Sequence, residues 1–381
     1  MTERNPRKKI ALLRANPKDA GFGKISLHLA DEYEVDCYIW DRAGDFTPIA
    51  ESRSIAYERC RIPAGFHSAS TLLRLMGFEA WLFFKLLFTS YDCIHAIDLD
   101  TGLTGYLAAR IRAKPFVYHC LDPYATSLPQ GWPKFLGKFA GVLENVLISR
   151  ADMFIITDML RMHQHEGACP AHVVEIANVP YQEMPRRKRT DDSRFLVGYI
   201  GSLIHGRNLL TLIDAVGDLA GSGVSLILGG FGPLSRYVGE YAKKHANISF
   251  MGWIPSYTTV LELESTFDVI YHVTDEQDKG QKWVSPNKLF DSMALCKPII
   301  VGEKTLAAMR VEAVGNGIVI PYGDREELKK AILELKNYPA KSRAMGLKGL
   351  KEYESNWSPS IMKKRLLDVY DRFFKEMSAS Q

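Results

Sequence analysis

The sequence has no CxxC pair, although it carries six cysteines, at positions 37, 60, 93, 120, 169 and 296. This excludes a zinc-finger framework and a thioredoxin-type redox motif, and leaves reduced, mostly packed thiols as the expectation. An apolar signal core is also missing: MTERNPRKKIALLRA runs from a charged start into a strand-like segment, so a cytoplasmic location is expected. An excess of charge of one sign is lacking, with 48 Lys and Arg against 44 Asp and Glu for a net +4. That suits phosphorylated ligands or an anionic membrane surface, and is too weak to imply nucleic acid. No internal repeat is visible at solenoid periods. One apolar stretch, STLLRLMGFEAWLFFKLLF (70–88), is interrupted by Arg74, Glu79 and Lys85, which argues against a membrane span. At 100° per residue Arg74 and Lys85 fall on one side, with Phe78 and Trp81 between them. Two readings stay open: a helix packed against a sheet, or a peripheral membrane contact through that basic, aromatic side.

What is present is a chain of 381 residues, 46% apolar, ample for two hydrophobic cores. Strand-length apolar runs at 8–15, 33–41, 91–98, 114–120 and 151–157 alternate with helical segments, the first preceded by a glycine-bearing loop, NPKDAGFGK. Continuous apolar strands between helices predict a parallel sheet covered on both faces. PYQEMPRRKRTDDSR (180–194) is charged and proline-bearing and reads as a linker, its Arg-Arg-Lys-Arg run a solvated segment or a phosphate contact. The alternation then restarts at 195–203 and continues through 298–302 and a helix at 325–336. The chain therefore divides into an N-terminal domain, 1–182, and a C-terminal domain, 193–357. Each is doubly wound, with a cleft expected at the carboxyl ends of the strands. A last helix, 359–377, follows the second domain and has the N-terminal domain as a candidate docking surface.

The residues with the most chemistry are SPNKLFDSMALCKPII, 285–300. Ser285 suits an N-cap and Pro286 a first helical position. Leu289, Met293 and Cys296 form an apolar stripe, leaving Asn287, Lys288, Asp291 and Ser292 for the other faces. Asn287, Lys288 and Asp291 cluster at the helix start, where a phosphate is attracted and a carboxylate can hold ribose hydroxyls. A solvated amphipathic helix has the same pattern.

PNKLFDSMALCKPII resembles the P-x-K-x-x-E-x-M-A-x-G-x-P-V-I block of retaining glycosyltransferases of family 4, the group 1 glycosyltransferases, which adopt the GT-B fold. The resemblance implies two Rossmann-like domains facing a central cleft and a nucleotide-sugar donor of UDP or GDP type. It gives Asp291 the ribose-holding role of the family's second glutamate. Trp283 stands at the first glutamate, which usually touches the donor sugar. GYIGSLIHGRNLLTLIDA resembles the family's G-R-L-x-x-x-K-G segment, with Gly201 matched, Ser202 at the arginine position and Arg207 at the lysine position. Arg207 can grip a diphosphate bidentately. LILGGFGPLSRYV resembles the family's V-x-G-x-G-P turn. FMGWIPS resembles an F-x-G-x-V segment that would place the base near Trp253 and Ile254, with Trp253 either stacked or packed.

In the N-terminal domain Gly21, Gly23 and Asp41 mimic a dinucleotide fingerprint without its third glycine. By the resemblance, this glycine-rich loop, with Gly23, faces the donor. PFVYHCLDPYA ends a strand with His119 and Asp122. Asp122 is the candidate for contacting the donor sugar or serving as base on the acceptor hydroxyl, with His119 as the alternative; a turn former and a core histidine are the structural readings of the two. Asp98, Asp100 and Thr101 read first as helix-capping residues. No metal and no cofactor are expected, since cations and a helix N-terminus can serve the diphosphate, and Asp275, Glu276 and Asp278 look like a loop. The activity the resemblance implies is hexosyl transfer, with retention, from a nucleotide sugar to a carbohydrate or lipid-linked acceptor in polysaccharide or glycoconjugate synthesis. A sugar-nucleotide epimerase, an NAD-dependent oxidoreductase and a non-catalytic nucleotide-sugar binder are the alternatives.

Overall fold

The computed structural model describes residues 7–48, 52–65, 69–127, 134–180, 184–185 and 194–379. The Arg-Arg-Lys-Arg run lies outside them. The chain forms two compact units, 1–177 with 362–381, and 178–361.

The first unit contains β1 (Lys9–Arg14), α1 (Ala20–Ala30), β2 (Glu34–Trp40), β3 (Ile55–Cys60), α2 (Ala69–Phe88), β4 (Cys93–Ile97), α3 (Leu99–Ile111), β5 (Phe116–Cys120), α4 (Tyr124–Ser127), α5 (Lys134–Arg150), β6 (Met153–Ile156) and β7 (Val173–Glu175). Its sheet runs β3-β2-β1-β4-β5-β6-β7, every pairing parallel. Side chains alternate across a strand, so β1 feeds two cores. Ile10 and Leu12 join one and Ala11 and Leu13 the other, all with no exposed surface. This is why the strand has no polar face to show in sequence. The edge strand β3 escaped the sequence pattern because IAYERC alternates half-buried and exposed positions and is fully buried only at Cys60.

Two local expectations fail here. The glycine-bearing segment is not a loop: Asp19 accepts the Phe22 N–H at 2.8 Å and starts α1 at Ala20, so Gly21 and Gly23 lie inside the helix. Asp41 accepts the Phe46 N–H at 3.2 Å, closing its own loop, so no dinucleotide fingerprint forms. On α2, the side bounded by Arg74 and Lys85 is the packed side. Phe78 is fully buried and stacks on Trp40 with centroids 5.3 Å apart, while Lys85 pairs with Glu58 at 2.9 Å. Among the described residues no helix is long and apolar enough to cross a membrane.

The second unit contains β8 (Phe195–Ser202), α6 (Leu209–Asp218), β9 (Val224–Phe231), α7 (Ser235–Ala242), β10 (Ile248–Phe250), α8 (Tyr257–Thr266), β11 (Val269–His272), α9 (Lys279–Lys282), α10 (Asn287–Ala294), β12 (Ile299–Gly302), α11 (Leu306–Val314), β13 (Gly317–Ile320), α12 (Arg325–Asn337) and α13 (Pro339–Glu352). Its sheet order is β10-β9-β8-β11-β12-β13, again all parallel. The order reverses at β8 and β11, the position where doubly wound sheets open a crevice at their carboxyl ends.

The last helix, α14 (Pro359–Ala379), belongs to the first unit from Met362 onward. Leu366 and Tyr370 are fully buried in that unit's core. Tyr33 donates its hydroxyl hydrogen bond to Asp371 at 2.6 Å, and the Tyr370 hydroxyl lies 2.7 Å from His95 Nδ1.

Candidate functional site

The site of the second unit begins with glycines. Gly201 and Gly230 sit opposite each other in the β8–β9 register. A Cβ on Gly230 would fall 1.8 Å from the Gly201 carbonyl oxygen, and its φ is +130°, so only glycine fits. The Gly230 N–H donates to the Gly252 carbonyl at 2.7 Å and thereby fixes the segment carrying Trp253 and Ile254. At Gly201 a Cβ would meet Lys288 Nζ at 2.6 Å. The missing side chain is the room the ammonium occupies, 5.0 Å from the Tyr199 ring centroid.

Lys288 comes from α10, whose start differs from the sequence reading. Pro286 has ψ 138° and is itself the N-cap, so the helix begins at Asn287 and no side chain caps it. Ser285 is displaced from the capping position, and its Oγ is buried without a partner. The uncapped amino end leaves backbone N–H groups open to an anion. Asp291 and Ser292 are buried rather than solvated. Cys296 falls past the helix, with φ +56°. Phe290 extends the apolar face instead and meets Trp357 with ring centroids 5.4 Å apart.

These elements enclose a cavity of ≈ 340 Å³. Of the residues read as donor-binding, Gly201, Ser202, Trp253, Ile254, Asn287, Lys288 and Asp291 line it. Trp253 is 69% exposed, which removes the packed reading; Phe231, equally exposed, lines the same cavity. Arg207 and Ser285 are not in the lining. Arg207 stands in the 3-10 turn His205–Arg207, half-buried, with Nε and Nη1 lacking partners. Burial works against its charge, opposed by Tyr199 and Asp278. A guanidinium stays protonated even so. Burial lowers the Lys288 ammonium, Glu264 pulls it back up, and Arg207 adds repulsion, so the two cations feel each other.

Two polar lining residues were missed by the sequence reading. Tyr257 donates its hydroxyl hydrogen bond to Asp291, and burial, then Asp291, pushes its phenol far up. Glu264 is 1% exposed, and its Oε2 has no partner. Burial and then Asp291 raise its carboxyl well above the usual range, with Lys288 opposing. The two stand two turns apart on α8, hence on one face.

The first unit's candidates do not gather in this way. Gly23 is buried within α1, accepting the Ser26 hydroxyl at 2.9 Å through its carbonyl. His119 is 1% exposed and lies 3.3 Å from His95 Nε2; burial, then Arg14, pushes it down to about 3. It is a core histidine. Asp122 is exposed, 3.5 Å from Arg161, and its N–H donates to Asp98. Asp98 does not cap α3 with its side chain. At φ +62° it accepts from the Leu121 and Asp122 N–H groups and binds buried Arg14. Cys120, Glu144 and His165, all buried, bring their ligand-type atoms within 4.8 Å of one another, a grouping the spacing did not reveal. Glu144 already accepts from Tyr118 at 2.8 Å and from the Tyr124 N–H at 3.2 Å.

Residues 194–337 match the family model of glycosyl transferases group 1. The chain carries a group 1 glycosyltransferase domain. That domain holds every residue lining the ≈ 340 Å³ cavity. Across both units the fold is GT-B, two parallel-sheet Rossmann-like domains. Similar solved structures include sucrose-phosphate synthase from Thermosynechococcus elongatus, with TM-score 0.76 and 15% identity, covering 97% of this chain and 100% of that one. HepE from Anabaena, in complex with UDP and glucose, has TM-score 0.69 and 17% identity over 96% and 99%. TarM from S. aureus, in complex with UDP among other ligands, has TM-score 0.70 and 11% identity over 95% and 99%. No match is found among curated proteins.

Proposed function

We propose that this glycosyltransferase moves a hexosyl group from a nucleoside-diphosphate sugar to a hydroxyl of a carbohydrate or lipid-linked acceptor, with retention and without a metal ion. One observation carries the donor half: an uncapped helix start and the Lys288 ammonium, which makes no ion pair among the described residues, open on the same cavity. With the nearby Arg207 they offer positive charge to a diphosphate, most strongly when it departs and its charge grows. Asp291, oriented by Tyr257, suits the ribose hydroxyls. Trp253 and Phe231 offer apolar faces to the base. HepE and TarM are recorded with UDP, which makes a UDP-sugar the first donor to try. Asp122, exposed at the end of β5, is the candidate for the acceptor side, and the buried, hydrogen-bonded His119 is not.

The reading is tested by thermal shift with UDP, GDP, ADP and CDP at millimolar concentration on the parent and Lys288→Met. A site with a micromolar Kd raises the transition by a free energy of about 4 kcal/mol at a thousandfold ligand excess. The parent should respond to one nucleotide and the variant much less. No response from the parent to any nucleoside diphosphate would overturn the donor assignment.

A further inference from the structure

Three helices, α2, α3 and α5, cover one face of the first unit's sheet and send Phe78, Leu82, Ala108, Leu147 and Ile148 into a common core. Glu79 of α2 accepts the Thr104 hydroxyl of α3, and Arg110 of α3 donates to the Arg150 carbonyl of α5 at 2.7 Å, so the helices are neighbours. Their outward stripes are apolar too. On α2, Leu73 is 73% and Phe88 82% exposed, with Phe84 on the same stripe. On α3, Leu107 and Ile111 are exposed one turn apart. On α5, Phe135 and Phe139 are each 67% exposed, and Val142 follows on the same stripe. A water-facing helix ordinarily puts polar residues there. A surface of this extent across three helices marks an interaction site.

The charges on these outward stripes identify the partner. Arg110, Lys138 and Arg150 are exposed, and among the described residues of the three helices no Asp or Glu is. Glu79 and Asp100 are half-buried, and Glu144 is buried. A twofold contact between copies of this chain sets the same patch against itself, cations included. An anionic bilayer surface takes up both features at once. Apolar side chains enter the boundary between headgroups and acyl chains, while arginines and lysines meet the phosphates. We infer that the α2–α3–α5 face of the first unit is a docking surface for an anionic lipid membrane. It is a different surface from the side of α2 between Arg74 and Lys85, and it stands independently of the donor reading.

The test is vesicle flotation of the full chain with phosphatidylcholine alone and with added phosphatidylglycerol. The expected result is strong binding only to the anionic vesicles, falling as salt rises. Each basic residue near the surface accounts for about a fivefold change in partition, so Arg110→Gln with Lys138→Gln should weaken it roughly thirtyfold. Phe84→Glu with Phe139→Glu should abolish it. These positions are exposed, and a thermal melt of each variant confirms folding, while the lipid and salt dependence of the parent needs no variant. Equal binding to both vesicle types would overturn the inference. So would no binding to either, or lipid-free self-association that the Phe84→Glu, Phe139→Glu pair abolishes.

Discussion

Gly201→Ala should leave the protein folded and weaken its grip on a nucleoside diphosphate. The new Cβ would sit 2.6 Å from Lys288 Nζ, and 3.4 Å from both Lys288 Cε and the Tyr199 hydroxyl. Ordinary contact begins near 3.4 Å, so the Nζ must retreat by about 0.8 Å, from 2.6 to 3.4 Å. That movement is cheap in stability because Nζ is the free end of a flexible stem and Gly201 has no positive φ to preserve. The expected change is within about 0.5 kcal/mol. Binding is less forgiving. An N–H···O contact of about 2.8 Å stretched by that amount ceases to be a hydrogen bond. A charge-assisted bond contributes about 1.5–3 kcal/mol, or about 10- to 150-fold in Kd. Gly230→Ala is the contrasting case. There the new Cβ would sit 1.8 Å from a backbone oxygen at φ +130°, and the fold itself should fail. Isothermal titration calorimetry with the nucleotide found by thermal shift, alongside thermal melts, separates the two effects. A Gly201→Ala protein that binds as tightly as the parent would refute the assignment of Lys288 to the diphosphate. One that unfolds like Gly230→Ala would refute the claim that only a side-chain tip is displaced.

Two further outcomes follow from buried acids. Tyr257→Phe removes the hydroxyl that orients Asp291, and nucleoside affinity should fall about 3- to 10-fold in calorimetry; unchanged affinity would mean that Asp291 needs no positioning from α8. Burial raises the Glu144 carboxyl to about 7 in the folded protein, above its ordinary value of 4.5. A raised acid binds more protons folded than unfolded, so its contribution to stability declines as pH rises from about 4.5 to about 7. The Tm of Glu144→Gln should therefore gain on the parent across that window; a pH-independent difference would show that Glu144 does not titrate there.

Parallel strands were legible because they are apolar on both faces, as Ile10 through Leu13 show. The donor segment was legible for a different reason. Lys288 and Asp291 lie within one turn of each other, and local spacing is what a sequence displays. Glu264 and Tyr257 were missed because they reach the cavity from another helix, and only the fold brings α8 and α10 together. The helix register failed at a proline: Pro286 keeps an extended ψ, which delays α10 by one residue and strands Ser285. Gly21 and Gly23 misled for the opposite reason, since two glycines suggested a loop while the Asp19 cap, one short side chain, decided for a helix. His119 could not be judged from sequence at all, because its partner His95, itself bonded to Tyr370, comes from another stretch of chain.

The return of α14 to the first unit sets an order of events during synthesis. The first unit's core lacks Leu366 and Tyr370 until α14 has been translated. The second unit, one continuous segment from 178 to 361, is complete before then. On the ribosome the nucleotide-site half can thus finish folding while the half encoded first still waits for its closing helix. A stop codon shortly before Pro359 would spare the later-made unit and cripple the earlier one.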